Sequence, residues 1–223
     1  MTLRTPRKAV TSRPLKEGKR FKMPDEATSP VVLIEPARFG DERGWFMETY
    51  HARRWREMGV PDTFVQDNQS YSSAAGTLRG LHFQTPPHGQ AKLVRCVRGR
   101  ILDVAVDVRA GSPTYGDWVG AVLDAERGNQ LFIPVGFAHG FVTLAADSEI
   151  AYKVSDYYDP ASDGGIRWDD PQVAVAWDLP GGSDPVLSAK DTALPLLAEF
   201  ESPFPYDGRP LLSLGPDQPG SLT

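Results

Sequence analysis

The 223-residue sequence contains a single cysteine, Cys96, so no disulfide bond can form within the chain. One unpaired cysteine favours a reducing compartment, and we expect a cytoplasmic protein. The sequence also has no apolar run long enough to cross a bilayer, and its first residues lack the apolar segment of a secretory signal. Membrane-spanning and secreted proteins are therefore not expected.

The signatures of several large enzyme classes are missing as well. The sequence contains no glycine-rich dinucleotide turn, no phosphate-binding loop with its lysine and no serine elbow. Cys96 lies in a predicted strand between Arg95 and Val97, so we interpret it as a packing residue and not as a nucleophile.

Charge is distributed unevenly along the chain. Residues 1–22 contain eight basic side chains and one acidic side chain, whereas the remainder carries 16 basic and 28 acidic side chains, a net charge of −12. An acidic body argues against a nucleic-acid-binding domain, which would present a basic face. We expect residues 1–28 to form a poorly ordered basic extension, with a nucleic-acid arm or a targeting peptide as the alternatives.

Turn-forming residues are plentiful, since the sequence has 21 glycines and 20 prolines. Strands are predicted by short apolar segments near residues 31–34, 92–97, 101–109, 118–123, 131–133, 141–144 and 150–157. One short helix is predicted near residues 51–58, ended by Gly59 and Pro61. Many short strands with little helix indicate an all-β sandwich or barrel at residues 29–200. The tail at 201–223 is rich in proline and glycine and forms either an extended strap or a disordered segment.

Two segments resemble the paired motifs of the cupin, or jelly-roll, superfamily. The first runs from Gly76 through His82 to Gly99. The second is residues 128–139, with the sequence Gly-Asn-Gln-Leu-Phe-Ile-Pro-Val-Gly-Phe-Ala-His. Glycines suit the tight turns of such motifs, and the proline rigidifies the approach to the histidine. The resemblance implies a double-stranded β-helix, that is, a jelly-roll barrel with a few short helices.

The first motif is incomplete as a metal site. A cupin metal centre usually has two histidines two positions apart, a nearby carboxylate and a later histidine. Here the second histidine position is Gln84, and His88 and Gly89 stand near the expected carboxylate. His82 and His139 are fewer ligands than the three or four that a transition-metal site requires, so we expect no metal.

A histidine without metal can instead transfer protons. Neutral imidazole near pH 7 is the usual general base, and it works best when a carboxylate orients it. We therefore predict acid–base chemistry at His82, with a buried structural histidine as the alternative. We interpret His51 and His88 as structural.

A larger set of segments resembles the dTDP-4-dehydrorhamnose 3,5-epimerase family. The shared segments occur in the family's order across residues 30–198: 39–44, 64–68, 78–84, 90–95, 103–107, 112–114, 133–141, 157–158 and 187–191. The resemblance implies a homodimeric jelly roll that uses no cofactor. It also implies a dTDP-linked 4-keto-6-deoxyhexose as substrate, with no nucleic-acid or membrane partner.

The resemblance implies four catalytic residues. His82 matches the base, Asp191 the carboxylate paired with it, and Tyr152 the acid on the opposite face of the sugar. Lys92 matches the cation beside the 4-keto group, where it would stabilise the developing enolate.

The resemblance also implies a set of substrate-binding residues. The matching positions contact the pyrophosphate, base, ribose, sugar or stacked thymine: Arg43, Glu48, Gln66, Asn68, Arg79, His139, Tyr158, Asp163 and Lys190. Guanidinium groups suit phosphate oxygens, which supports the arginine assignments.

Several alternatives stay open at this point. A mono-epimerase acting at C3 or C5 alone could keep the same residues, because the geometry of Tyr152 can decide the outcome. A substrate carrying GDP or CDP is a related alternative. A non-catalytic sugar-binding jelly roll or a metal-dependent cupin oxygenase would be a protein of another class.

Overall fold

The computed structural model describes residues 29–222 of the chain. The predicted basic extension, residues 1–28, lies outside the described residues. The described residues form twelve strands: β1 Val32–Ile34, β2 Arg38–Asp41, β3 Gly44–Met47, β4 Gln66–Ser72, β5 Leu78–Gln84, β6 Lys92–Arg98, β7 Arg100–Asp107, β8 Trp118–Asp124, β9 Gln130–Ile133, β10 Phe137–Thr143, β11 Ser148–Val154 and β12 Asp163–Gly165. The helices are short: α1 Ala52–Glu57, α2 Ala189–Thr192, and 3₁₀ turns at Pro180–Gly182 and Leu197–Glu199. No helix of the described residues is long and apolar enough to cross a membrane.

The strands form two five-stranded sheets and one hairpin. The first sheet has the order β1-β9-β6-β11-β4, and the second has the order β12-β5-β10-β7-β8. Strands β2 and β3 pair with each other in the hairpin. All strand pairs within the sheets are antiparallel, and most neighbours are distant in sequence. This arrangement is the expected all-β jelly roll, so the prediction of fold class is confirmed.

The alternation of residues in β7 shows how the sequence builds the layers. Val104 and Val106 face outward into a cluster with Trp177 and Phe204. Ala105 faces inward into the core between the two sheets. Both faces are buried because β7 lies inside its sheet and residues 166–204 cover the outer side. The first sheet is covered on its outer side by a third cluster that includes Trp55 of α1.

Strand β5 departs from simple alternation at a bulge. His139 of β10 pairs with His82, but Phe141 pairs with Arg79, so β5 has one more residue than β10 between the two pairs. Gly80 sits at this point with φ of 141°, and a Cβ there would lie 2.5 Å from Gly140 Cα. The bulge lets Arg79 and His82 both face the inter-sheet space, while Leu81 faces the outer cluster.

Most predicted elements are present, and the differences have physical reasons. The helix near residues 51–58 is confirmed. The strand predicted at 141–144 is longer in the structure and begins at Phe137. The prediction missed its first half because His139 and Gly140, which pair within the sheet, interrupt the apolar pattern. Strands β4 and β5 were not predicted, since their polar residues face the inter-sheet space and hide the usual alternation.

The C-terminal tail runs along the barrel as an extended strap. Its backbone pairs with the outer edge of β8, where Gly120 N–H donates to Pro219 O at 2.8 Å and Ser221 N–H donates to Trp118 O at 3.0 Å. Leu211 of the strap is buried in the inter-sheet core. Residues 201–222 are thus packed against the jelly roll.

Candidate active site

A cavity of about 290 Å³ opens between the two sheets. Its lining contains seven of the residues that the sequence predicts to be functional: Arg79, His82, Lys92, His139, Tyr152, Lys190 and Asp191. Ser70, Phe141 and Ser188 complete the lining. Both sheets contribute, since His82 lies on β5 and Tyr152 lies on β11.

His82 and Asp191 form the first acid–base pair. His82 Nε2 lies 2.6 Å from Asp191 Oδ1. An ionised carboxylate can only accept hydrogen bonds, so Nε2 carries the proton and Nδ1 keeps its lone pair. The His82 side chain is 28% exposed, whereas that of Asp191 is 4% exposed. The pair therefore presents an oriented imidazole to the cavity and keeps its carboxylate away from water.

Short helix α2 holds Asp191 in place. Ser188 is the N-cap, and its hydroxyl accepts from Asp191 N–H at 3.1 Å and donates to Asp191 Oδ2 at 2.6 Å. Burial alone would raise the pKa of Asp191, but the hydrogen bonds from His82 and Ser188 outweigh it and lower the pKa to about 2. Asp191 is therefore ionised at neutral pH and can stabilise a proton on His82.

Lys92 places a positive charge in the lining of the cavity. Its Nζ donates to the backbone oxygen of His82 at 3.3 Å and lies 3.5 Å from His139 Nδ1. Burial lowers the pKa of Lys92 to about 8, and the negative charge of Asp103 opposes this shift. The ammonium is thus charged at pH 7 and is poorly shielded by solvent.

His139 and Asp103 form a second pair, deeper in the barrel. His139 Nε2 lies 2.8 Å from Asp103 Oδ1, and the side chains are 8% and 0% exposed. Burial lowers the pKa of His139, and Lys92 acts in the same direction, while Asp103 opposes both. A neutral His139 donates from Nε2 to Asp103 and accepts at Nδ1 from Lys92, which satisfies both ring nitrogens.

Tyr152 lies on the first sheet, beside the strand of Lys92, and faces His82 and His139 of the second sheet. It lies on β11 and packs against the inter-sheet core. Burial raises the pKa of its phenol, although the charge of Arg79 partly opposes this. The phenol therefore keeps its proton at neutral pH and can donate it across the cavity.

Four of the other predicted binding residues, Gln66, Asn68, Tyr158 and Asp163, form a polar network that meets the cavity lining at Lys190. Gln66 donates to Asn68 Oδ1 at 2.9 Å and accepts from Tyr158 N–H at 3.2 Å. Asp163 Oδ2 accepts from the Tyr158 hydroxyl at 3.3 Å and from Lys190 Nζ. These five residues form one polar network beside an exposed aromatic ring.

Two predicted binding residues, Arg43 and Glu48, lie away from the cavity. Arg43 is on the turn of the β2–β3 hairpin, with its side chain 85% exposed and paired with Asp41 at 2.6 Å. Glu48 pairs with Arg54 of α1 at 2.7 Å. Neither residue lines the cavity, and the hairpin packs instead beside the β8–β9 turn, where Arg38 donates to Ala125 O.

The sequence interpretation gave no role to Asp103 or Ser188. A charged residue on the inward face of a central strand, as in Asp103-Val104-Ala105, was a signal for a buried polar contact. The Ser-x-x-Asp pattern at 188–191 was a capping-box signal.

The side chains between residues 29 and 222 include no group of three or more His, Cys, Asp or Glu that could hold a metal ion. Gln84, at the second cupin ligand position, is bound to backbone groups of two loops. Cys96 is buried in the inter-sheet core, as the packing interpretation expects.

Comparison with known proteins gives a consistent result. Residues 26–199 match the family model described as dTDP-4-dehydrorhamnose 3,5-epimerase. The enzyme of that name from Sinorhizobium fredii (strain NBRC 101917 / NGR234) is 52% identical over 177 residues, which is 79% of this chain and 89% of the relative. The dTDP-4-dehydrorhamnose 3-epimerase of Streptomyces niveus is 42% identical over 170 residues, covering 76% of this chain and 80% of the relative.

A solved structure agrees with these sequence matches. The dTDP-6-deoxy-D-glucose-3,5-epimerase from Legionella pneumophila Philadelphia 1, crystallised in complex with dTDP-4-keto-L-rhamnose, superposes with a TM-score of 0.73 at 48% identity. The match covers 77% of this chain and 90% of that chain.

Proposed function

The chain belongs to the dTDP-4-dehydrorhamnose 3,5-epimerase family, and we propose from this that it inverts C3 and C5 of dTDP-4-dehydro-6-deoxy-D-glucose to give dTDP-4-dehydro-L-rhamnose. Both carbons flank the ketone at C4, so loss of either hydrogen as a proton leaves an enolate. Return of a proton to the opposite face inverts the carbon. The reaction is redox-neutral and moves only protons, so it needs no cofactor.

One observation carries the proposal: an oriented base and a protonated phenol face each other across one cavity. His82 Nε2–H donates to Asp191, so the lone pair on Nδ1 would remove the proton from the sugar. Tyr152 lines the same cavity from the facing sheet and would return a proton from the other side. A sugar ring held between the sheets would thus meet a base on one face and an acid on the other.

Lys92 and His139 would stabilise the enolate. The Lys92 ammonium is the positive charge that a developing oxyanion at O4 requires. His139 accepts from Lys92 and so fixes the direction of the ammonium. Preorganised donors of this kind typically lower a barrier by about 3 to 4 kcal/mol.

The nucleotide would bind at the mouth of the cavity. Arg79 and Lys190 line the cavity and carry the positive charge that a pyrophosphate requires. The Tyr158 ring, exposed beside Gln66 and Asn68, offers a flat surface for the base. Arg43 and Glu48 do not reach the cavity of their own chain, so they would bind the nucleotide only if the β2–β3 hairpin reached the cavity of a second copy.

That requirement supports a homodimer. The hairpin exposes three large rings, Phe39, Trp45 and Phe46, each more than half accessible. Exposed apolar surface of this kind marks an interface in a stable protein. In the proposed dimer, the hairpin of one protomer lies over the cavity of its partner and brings Arg43 to the nucleotide.

Incubation with dTDP-4-dehydro-6-deoxy-D-glucose in deuterated water tests the reaction. We expect deuterium at both C3 and C5, read by NMR and mass spectrometry. Exchange at one carbon alone would indicate a mono-epimerase. The Streptomyces niveus relative is named as such an enzyme, a 3-epimerase. Exchange at neither carbon would refute the proposed activity.

Mixing two inactive variants tests the dimer. Arg43→Ala and His82→Ala protomers are each expected to be inactive alone. A shared site would give mixed dimers one intact cavity, so unfolding and refolding the mixture together restores up to about a quarter of the activity. Sedimentation measures the oligomeric state in parallel, and a monomer, or a mixture that stays inactive, would contradict the shared site. The cytoplasmic location is part of the proposal and is checked by cell fractionation.

A further inference from the structure

Gln84 is a buried residue whose side chain contacts the loops around the active site. It lies on β5 two positions after His82 and is 4% exposed. Its amide nitrogen donates to the backbone oxygens of His88 at 2.7 Å and Tyr157 at 3.1 Å. Its amide oxygen accepts from the backbone N–H of Asp159 at 2.9 Å. One side chain therefore joins the loop after β5 to the loop after β11.

These hydrogen bonds lie on both sides of Tyr158. Gln84 binds the residue before it and the residue after it, and Gln66 binds the N–H of Tyr158 itself. Tyr158 is 57% exposed, so packing does little to fix its ring, and the one side-chain hydrogen bond of its hydroxyl among the described residues is with Asp163 at 3.3 Å. The backbone at three consecutive residues is thus held by two glutamine side chains.

We propose that Gln84 is a positioning residue for nucleotide binding. Its amide fixes the backbone at residues 157–159, and the ring of Tyr158 consequently stands at the cavity mouth in the orientation that receives a flat nucleotide base. This inference rests on the proposed function, which assigns the base to Tyr158. Gln84 does not touch the substrate and acts through Tyr158.

The chemistry of the contacts explains why an amide occupies this position. The site uses two donors and one acceptor, and a primary amide supplies all three. A neutral histidine, which the cupin metal pattern would place here, has one donor and one acceptor and could satisfy only two of the contacts. A glutamate would keep the acceptor but would place a buried charge against two carbonyl oxygens.

The first test is the affinity for dTDP, measured by calorimetry on the full chain. Gln84→Met keeps the approximate volume and removes all three hydrogen bonds. We expect the Kd for dTDP and the KM for the nucleotide sugar to rise about tenfold, with kcat changed less than about twofold. The matched control is Gln90→Met, since Gln90 donates to Asp156 O in the same loop at 2.8 Å but not beside Tyr158. The control should bind dTDP like the parent chain, and a Gln84→Met variant that does the same overturns the inference.

A double-mutant cycle separates positioning from general damage to the fold. In a Tyr158→Ala background, Gln84→Met has no ring to misplace, so its factor of about ten should fall below about two. A penalty that persists undiminished in that background overturns the inference. If thermal melting shows Gln84→Met to be unfolded, Gln84→Glu replaces it in the same cycle, with weaker binding expected and unchanged binding counting against the role.

Failure of the proposed function has a different signature. A parent chain that neither binds dTDP nor exchanges deuterium into the sugar would refute the function. Amide hydrogen exchange at residues 157–159 still tests the role of Gln84 in that case, because the positioning role requires these amides to exchange faster in Gln84→Met than in the parent chain. Unchanged exchange at those amides would overturn the positioning role in either case.

Discussion

The cavity contains two histidine–carboxylate pairs that are alike in composition and different in surroundings. In the pair His82–Asp191, the imidazole is part-exposed and its carboxylate receives several hydrogen bonds. In the pair His139–Asp103, both side chains are buried, and Asp103 Oδ2 has no hydrogen-bond partner among the described residues. In the first pair, the carboxylate of Asp191 is fixed by hydrogen bonds and ionised, so it lies in position to stabilise an imidazolium at His82. In the second pair, burial lowers the pKa of His139 and so favours its neutral imidazole, whose Nδ1 lies 3.5 Å from Lys92 Nζ.

Replacement of each histidine gives the largest expected contrast. His82→Ala removes the base for both carbons, so kcat should fall by about 10³ to 10⁴ and deuterium exchange should be lost at C3 and at C5. His139→Ala should retain exchange at both carbons, with kcat/KM reduced by roughly tenfold. Exchange read by NMR decides the matter, and near-normal exchange in His82→Ala would remove it from the role of base.

Replacement of each carboxylate by an amide should give the next contrast. Asp191→Asn keeps the shape but can no longer stabilise an imidazolium, so kcat should fall about 10² to 10⁴ fold. Asp103→Asn, assayed at its own optimum pH, should lose less than about tenfold. Steady-state kinetics of the two variants measure this, and equal losses would erase the distinction between the pairs.

The two pairs also show which parts of the site could be predicted from the sequence. His82, Asp191, Tyr152 and Lys92 carry motif signals, and all four line one cavity. The role of Asp103 could not be read in the same way, because a strand residue shows its face in the sequence but not the partner across the sheet. Arg43 was predicted to bind the substrate but lies on the β2–β3 hairpin, outside the cavity lining, because similarity in sequence does not show which side chains meet in the fold.

The strands, like the site residues, were predicted only where a local pattern marks them. Apolar strands such as β6 and β8 were predicted nearly to their ends, because alternation and turn residues bound them. Strands β4 and β5 carry polar residues for the cavity, so function replaced the apolar pattern there. The bulge between Gly80 and Gly140 is a tertiary contact and has no local signal beyond the two glycines.

The pH dependence of the unfolding free energy tests the assignment of Asp191 in the first pair. The folded-state pKa of Asp191 is lowered to about 2, below its unfolded value near 4, so its contribution is present above pH 4 and is lost as pH falls through 2. The parent chain should exceed Asp191→Asn in unfolding free energy by about 2 kcal/mol more at pH 5 than at pH 2. Denaturant titrations across this range provide the measurement, and a difference that does not vary with pH would contradict the assignment.

The alkaline limb of activity tests the second pair and is the smallest expected effect. Lys92 must be charged to stabilise an enolate, so kcat/KM should fall about tenfold per unit as pH rises above about 8. Tyr152 titrates at higher pH, since burial raises its pKa, and does not account for this limb. The charge of Asp103 raises the pKa of Lys92, so Asp103→Asn should move the limb to lower pH. A limb that moves upward, or not at all, would show that Asp103 does not act on Lys92.

The C-terminal strap has a consequence for the solubility of the sheet. Without Pro219 and Ser221, the outer strand β8 would present unpaired backbone donors and acceptors, the feature through which sheets recruit foreign strands. The segment that covers this edge lies beyond residue 199, where the match to the family ends. The chain therefore supplies its own protection against edge-to-edge aggregation from a segment that contributes nothing to the lining of the cavity.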